Sequence, residues 1–442
     1  MQAALKRAEQ AKELGAFIYL NDEEVLKEAH KVQSSVSDIG NIGPLQGVAI
    51  VVKDNIHVAG MPNSAGTPAL VSFVPQNNNP ALQRLLDAGA IVIGKTNMHE
   101  LAFGITSNNA AFGAVRNARD SSRIAGGSSG GTAAAIAAGV VEMGLGTDTG
   151  GSTRIPPALN GVVGFRPTLG RYPSGGVTPI SETRDTVGPI ANNVTNTALL
   201  DCVMSACDTP LKPFSLKGLR LGMPREYFYH NLSKDVDKAT QKTLAMLVNA
   251  GVILVEVEMP GLAEINNRVS FPVVLYEFMR ELPAYLKAHK TAVSMQQLVA
   301  AIASPDVKAT VLSQMGEKAM PEQVYKQAME EFRPRLQALY QKTFDDYDVA
   351  ALIMPTTVLS AQPIATSDEM VNLNGVQVPT FSTYIRNTDP SSNAGIPSLT
   401  IPAGVDRDGL PIGIMLDGPS DSDRELFSIA LAIEQLIDTN GG

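Results

Sequence analysis

Segments patterned as helix alternate with short apolar, β-branched runs along most of this chain, and that alternation restricts it to layered α/β architectures. Residues 81–88 read as a helix followed by the run Ala90-Ile-Val-Ile-Gly94, and residues 234–250 as a helix followed by Val252-Ile-Leu-Val-Glu-Val257. Runs that are apolar on both strand faces are what a buried sheet requires. Further strands are expected at 47–52, 142–146, 219–222, 350–354, 398–401 and 412–416, with a closing helix over 423–436. They come from both halves of the chain, so the expectation is an α/β fold with one large sheet between helix layers, and one domain spanning 1–442. Residues 262–347 carry no strand pattern. They read as successive helices interrupted by Pro272, Pro283, Pro305, Pro321 and Pro334, a natural cap on the substrate side.

Composition narrows the partners. The 442 residues are 44% hydrophobic and 18% charged, which excludes disorder and low complexity. With 35 basic against 44 acidic residues, the chain offers no basic stripe for a phosphate backbone, so nucleic acid is not expected. The opening Gln2-Ala-Ala-Leu-Lys-Arg-Ala-Glu-Gln10 is amphipathic rather than a signal core, and no apolar run is long enough to span a bilayer. A cytoplasmic chain without membrane contact is the expectation. Cys202 and Cys207 fall in a stretch that reads as helix, where a five-residue separation places them on different faces. They are expected as free thiols of a reducing compartment, not as a disulfide or metal pair.

Three motifs are decoys. Gly89-Ala-Ile-Val-Ile-Gly94-Lys95-Thr96 satisfies the P-loop pattern, but its intervening residues are themselves a strand and cannot wrap a phosphate. Gly144-Leu-Gly146 with Gly150 misses the dinucleotide spacing, and Pro156-Pro157 stand where a long helix should run. Gly126-Gly-Ser-Ser-Gly130 fits the nucleophile elbow, which requires a strand leading into it, whereas Asn117 to Ala125 is polar and irregular. Nor does His30, His57, His99, His230 or His289 sit in a setting that signals a serine triad.

Three other segments belong together. A buried strand delivers Lys53 at its end, in Gly47-Val-Ala-Ile-Val-Val-Lys53-Asp54-Asn55. A glycine-serine loop with Ser128 and Ser129 opens an alanine-rich helix on which other elements can pack closely. The third is Gly146-Thr-Asp148-Thr149-Gly150-Gly151-Ser152-Thr-Arg154. A serine hydroxyl needs a neighbour to take its proton, and without a suitable histidine a lysine can serve if desolvation populates its neutral amine. Glycines directly before Ser152 free the backbone to turn N–H groups toward one point, as an oxyanion hole demands. Any one segment reads equally well as a tight turn or a surface lysine, but the set does not.

The run from Gly126 to Arg184 resembles the signature region of the amidase signature family of serine hydrolases. Lys53-Asp-Asn-Ile56, Gly94-Lys-Thr-Asn-Met-His-Glu-Leu-Ala-Phe-Gly104 and Asn393-Ala-Gly-Ile-Pro-Ser-Leu-Thr-Ile-Pro-Ala-Gly404 follow in the family's order. Gly104-Ile-Thr-Ser-Asn-Asn109, Thr183-Arg-Asp-Thr186, Tyr276-Glu-Phe278 and Tyr384 to Asn393 are similar to the branch containing bacterial indole-3-acetamide and mandelamide hydrolases. The resemblance implies a large mixed sheet between helix layers and a Ser-cisSer-Lys triad: Ser152 is acylated, Ser128 bridges on a cis peptide, and Lys53 is the base. It implies an oxyanion hole from the N–H groups of Thr149, Gly150, Gly151 and Ser152, with Ser129, Asp148 and Arg154 in support. No cofactor or metal is expected, and the partner is a small-molecule amide, hydrolysed to acid and ammonia. Phe271, Tyr276 and Phe278 are candidates for an aryl pocket. Hydrolysis of esters, anilides or carbamates and an amidotransferase-subunit role are the alternatives. Little chain precedes Lys53 compared with the family, which bears on the cover or homodimer contact expected there.

Overall fold

The computed structural model describes residues 1–34, 43–207, 210–212 and 214–440. Its centre is one eleven-stranded mixed sheet, in the spatial order Phe17–Leu20, Ile91–Thr96, Ala49–Lys53, Met143–Asp148, Thr186–Ala191, Val163–Arg166, Ser398–Val405, Pro411–Asp417, Ala351–Pro355, Arg220–Met223 and Ile253–Glu256. The middle of the sheet is antiparallel, from Met143–Asp148 across to Ala351–Pro355. Parallel pairs lie on either side: Ile91–Thr96 and Met143–Asp148 run alongside Ala49–Lys53, and Arg220–Met223 runs with its two neighbours, while the edge strand Phe17–Leu20 is antiparallel to Ile91–Thr96.

Strand pleat distributes the core to two faces. From Ala49–Lys53, Ile50 and Val52 pack with Leu82 and Leu85 of the helix Pro80–Asp87 on one side. Val51 faces Ala133 to Ile136 of the helix Gly130–Ala137 on the other. Further along the sheet the helix Asp423–Asn440 packs Phe427, Ile429 and Ile433 against Leu399 and Leu416. The opposite face takes Leu336 and Tyr340 of Arg333–Tyr347 against Leu352 and Met354. Ala133, Ala134 and Ala135 of Gly130–Ala137 are fully buried, so that helix lies close on the sheet, and its N-terminal loop meets the end of the Lys53 strand through Ser128.

Residues 262–347 are helical throughout, but not broken at every proline. Pro272 and Pro283 lie inside one continuous helix, Leu262–Ala288, and Pro305 occupies a first turn, where the missing N–H has no intrahelical role. Pro334 directly follows a π turn, Ala328–Phe332, within an unbroken helical run from Glu322 to Tyr347. The P-loop look-alike is a strand, Ile91–Thr96, with Lys95 fully buried within it. The cysteine expectation is overturned: Cys202 and Cys207 form a disulfide with Cα atoms 4.8 Å apart. The different-faces argument assumed a continuing helix, but Val194–Ser205 ends first. Ala206 takes a left-handed φ of 55° and folds Cys207 back, its N–H donating to the Cys202 carbonyl at 2.9 Å. The free-thiol ground for a reducing compartment goes with it. Among the described residues no helix is long and apolar enough to cross a membrane.

Candidate active site

Lys53 ends its strand fully buried. Its Nζ donates to Ser128 Oγ at 2.7 Å and Thr147 Oγ1 at 2.7 Å. Burial pushes its pKa down to about 7, against the opposing pull of Asp148 and Asp185. A neutral amine is therefore well populated near neutrality, with a hydroxyl already in hydrogen-bond contact. Ser128 follows a cis Gly127–Ser128 peptide, two residues ahead of the helix Gly130–Ala137. Ser129 Oγ donates to the Thr147 carbonyl at 3.2 Å, which joins the serine loop to the end of the strand Met143–Asp148.

That strand continues into the loop bearing Ser152. Asp148, fully buried, accepts from Thr153 N, Thr153 Oγ1, Arg154 Nε and Arg154 Nη2 at 3.0–3.1 Å, and from Arg166 Nη1 at 2.9 Å. Burial alone would push the Asp148 carboxyl up; the Arg154 and Arg166 guanidinium groups overcome it and hold the group far below the usual carboxylate range. Arg154 also donates to Ser391, Ser392 and Ser398 and has no exposed surface, so it braces the loop and does not line the cavity. Gly151 has φ 145°, and a Cβ there would stand 2.1 Å from Thr388 Oγ1, so only glycine fits. The N–H groups of Thr149, Gly150, Gly151 and Ser152 have no acceptor among the described residues.

Thr149, Gly150 and Ser152 line a cavity of about 340 Å³. Phe271 and Phe381 stand at its mouth, half exposed and with ring centroids 6.0 Å apart, and Phe103, Ile180, Val274 and Ile385 add apolar wall. Of the three aromatic candidates, Phe271 lines this cavity. Tyr276 does not line the cavity: it stacks on Tyr325 at 4.3 Å, five residues and more than a helical turn beyond Phe271. Phe278 is buried behind Phe103 at 4.5 Å and belongs to the core between cap and sheet. Sequence reasoning passed over Thr147, Arg166, Asp185, Thr388 and the ion pair of Arg184 with Asp389 at 2.6 Å. Thr147, Arg184 and Thr388 lay inside segments already singled out, but nothing local in the sequence marks the contact of Thr388 with Gly150.

The histidines stand elsewhere. His57 Nε2 meets Tyr285 OH at 2.7 Å, and burial first, then His289 and Lys95, push its pKa down to about 3. His99 bonds Asp306 through its ring at 2.9 Å and reaches Ser128 only by its backbone N–H.

Residues 1–427 match the amidase family. The chain belongs to the amidase family. It is 43% identical over 438 residues to an indoleacetamide hydrolase of Rhizobium radiobacter, covering 99% of this chain and 93% of that one. A mandelamide hydrolase of Pseudomonas putida is 43% identical over 455 residues, covering 99% and 87%. A crystal structure of an amidase superposes with a TM-score of 0.86 at 34% identity, covering 98% and 94% of the two chains. The mixed α/β sheet is thus the amidase fold, and the activity class is hydrolysis of amide C–N bonds.

Proposed function

We propose that the chain acts as a single domain hydrolysing primary amides of arylacetic-type acids, with Ser152 as nucleophile, Ser128 as proton bridge and Lys53 as base. One observation carries this reading: a buried lysine with its pKa near 7 bonds Ser128 and Thr147, each at 2.7 Å, and Thr147 leads directly into the loop whose Thr149, Gly150 and Ser152 line the cavity. In this reading Ser152 Oγ attacks the amide carbonyl as its proton passes through Ser128 to the neutral Lys53 amine. The oxyanion settles on the N–H groups of the 149–152 loop. The tetrahedral intermediate collapses, the leaving nitrogen takes the proton back by the same route, and ammonia departs. Water then adds to the acyl-enzyme with the same relay in the same sense, releasing the carboxylic acid.

The acyl group is inferred from Phe271 and Phe381 at the cavity mouth, together with the names of the indoleacetamide and mandelamide hydrolases. Their place in the cavity that Ser152 also lines suits a flat aryl ring one carbon removed from the carbonyl. Turnover of indole-3-acetamide, mandelamide, phenylacetamide, an aryl carbamate and glutamine by the purified chain tests it. The arylacetamides are expected to lead. A best rate on the carbamate would move the reading to urethane hydrolysis, and a best rate on glutamine would move it to an amidotransferase-type subunit. Ser152→Ala is expected to abolish turnover and fluorophosphonate labelling, and labelling that persists on another serine would overturn the assignment.

A further inference from the structure

A trans peptide is a rigid plane in which the carbonyl and the following N–H point in opposite directions. An amide can therefore be aimed from behind by whatever holds its carbonyl. In the loop 149–152 every such carbonyl is held. Arg184 Nε donates to the Thr149 carbonyl at 3.0 Å, fixing the plane that carries the Gly150 N–H. Thr388 Oγ1 donates to the Gly150 carbonyl at 2.6 Å, fixing the plane that carries the Gly151 N–H. The Gly151 carbonyl accepts from Arg154 N and Ile155 N, both at 2.8 Å, which fixes the Ser152 N–H. The third arrangement is an ordinary helix start, but the first two come from residues far away in the chain.

We infer that Arg184 and Thr388 are positioning residues that aim and polarise the Gly150 and Gly151 amides toward the developing oxyanion; this rests on the catalytic reading given above. Arg184 suits the task. It is nearly fully buried, Asp389 neutralises it at 2.6 Å, and Nη1 donates to the Ser270 carbonyl at 3.1 Å, so its guanidinium plane is pinned at three corners. Asp389 is itself held by Asn266 and Asn393 at 2.9 and 3.0 Å. A hydrogen bond donated to a peptide carbonyl, above all from a cation, strengthens the N–H of the same unit as a donor. Thr388 is fully buried and packs so closely on Gly151 that no side chain fits between them. Neither residue exchanges a proton. Both act through the backbone, so their effect belongs to the transition state and not to the resting amide.

The test compares Thr388→Val, which keeps the shape and removes the donor, and Arg184→Lys with the parent enzyme. The readouts are kcat and KM on phenylacetamide, inhibition by benzylboronic acid as a mimic of the tetrahedral adduct, and inhibition by phenylacetate as a ground-state ligand. Removing an oxyanion donor outright costs about 10²–10³ in kcat. Weakening and misaiming one is expected to cost about tenfold in kcat and in boronate affinity, with KM and phenylacetate affinity within about twofold. Unchanged kcat and boronate affinity in Thr388→Val overturns the inference. So does a rise in KM alone, which would make these residues mere supports of the aryl wall. Arg184→Lys can fail to fold; Thr388→Val alone then decides. Labelling of the parent enzyme at Ser152 by a fluorophosphonate is measured in parallel, and its absence would overturn the catalytic reading and the inference together.

Discussion

Lys53 provides the sharpest test, because its burial fixes both a rate profile and a stability profile. With the pKa near 7, about a tenth of the amine is neutral at pH 6 and about nine-tenths at pH 8, so kcat/KM is expected to rise about tenfold between them and then level. An exposed lysine near 10.5 would instead give a profile climbing about tenfold per pH unit through pH 9. The same burial acts on folding. Below pH 7 the lysine is protonated in both states and the folded state carries the whole burial penalty. Between about 7 and 10.5 the folded state sheds the proton while the unfolded state keeps it, so stability rises with pH across that window. The fall from 10.5 to about 7 corresponds to on the order of 5 kcal/mol at about 1.4 kcal/mol per pH unit. Lys53→Met removes the penalty. It is expected to be catalytically dead yet more stable than the parent at pH 6, with the difference shrinking by pH 9.5. Urea unfolding at the two pH values, beside the kcat/KM profile, reads both effects. A flat profile between pH 6 and 8, or activity in Lys53→Arg, whose guanidinium cannot give up its proton, would refute the reasoning.

Asp148→Asn leaves the buried guanidinium groups of Arg154 and Arg166 without their carboxylate and is expected to destabilise by about 3–5 kcal/mol in urea unfolding, unlike a change in a surface ion pair. Phe271→Ala is expected to raise KM for phenylacetamide several-fold and to leave a short aliphatic amide unaffected, as steady-state kinetics would show. His57→Gln and His99→Gln are expected to hold kcat within tenfold of the parent, because neither ring touches Lys53, Ser128 or Ser152; loss of a general base would cost about 10²–10⁴.

What the sequence disclosed follows from how local each signal is. The strand ending at Lys53 was legible because its run is apolar on both faces, and the P-loop look-alike was rejected on the same ground: Lys95 lies in the strand. Val163–Arg166 and Thr186–Ala191 were missed because Gly164, Gly188 and Pro189 weaken any strand pattern. Gly188 is there for a tertiary reason, since a Cβ would sit 2.3 Å from the Phe165 carbonyl of the neighbouring strand. The disulfide escaped a helical-wheel argument because it depends on where the helix stops, at Ala206. Helix periodicity also could not separate Phe271, at the cavity, from Phe278, in the core two turns further along the same stripe. Thr388 was illegible for the opposite reason. Its meaning is a contact with Gly150, more than two hundred residues earlier in the chain.

Phe271 and Phe381, which frame the cavity mouth, come from two stretches outside the main sheet, Leu262–Ala288 and Thr380–Ile385. Their freedom to diverge is unequal. On the long helix, Phe271 neighbours two ties to the loop 149–152 and its supports: the Ser270 backbone carbonyl, which any amino acid would supply, and the Asn266 side chain, which donates to Asp389. Phe381 lies seven positions ahead of Thr388, whose side chain presses on Gly151. Segment exchange with a relative of different acyl preference should therefore transplant well when it carries the long helix with Asn266 kept. Exchange of the stretch around Thr380–Asp389 would import a new wall and a new fit against the loop at once, so libraries aimed at new acyl groups belong on the helix first.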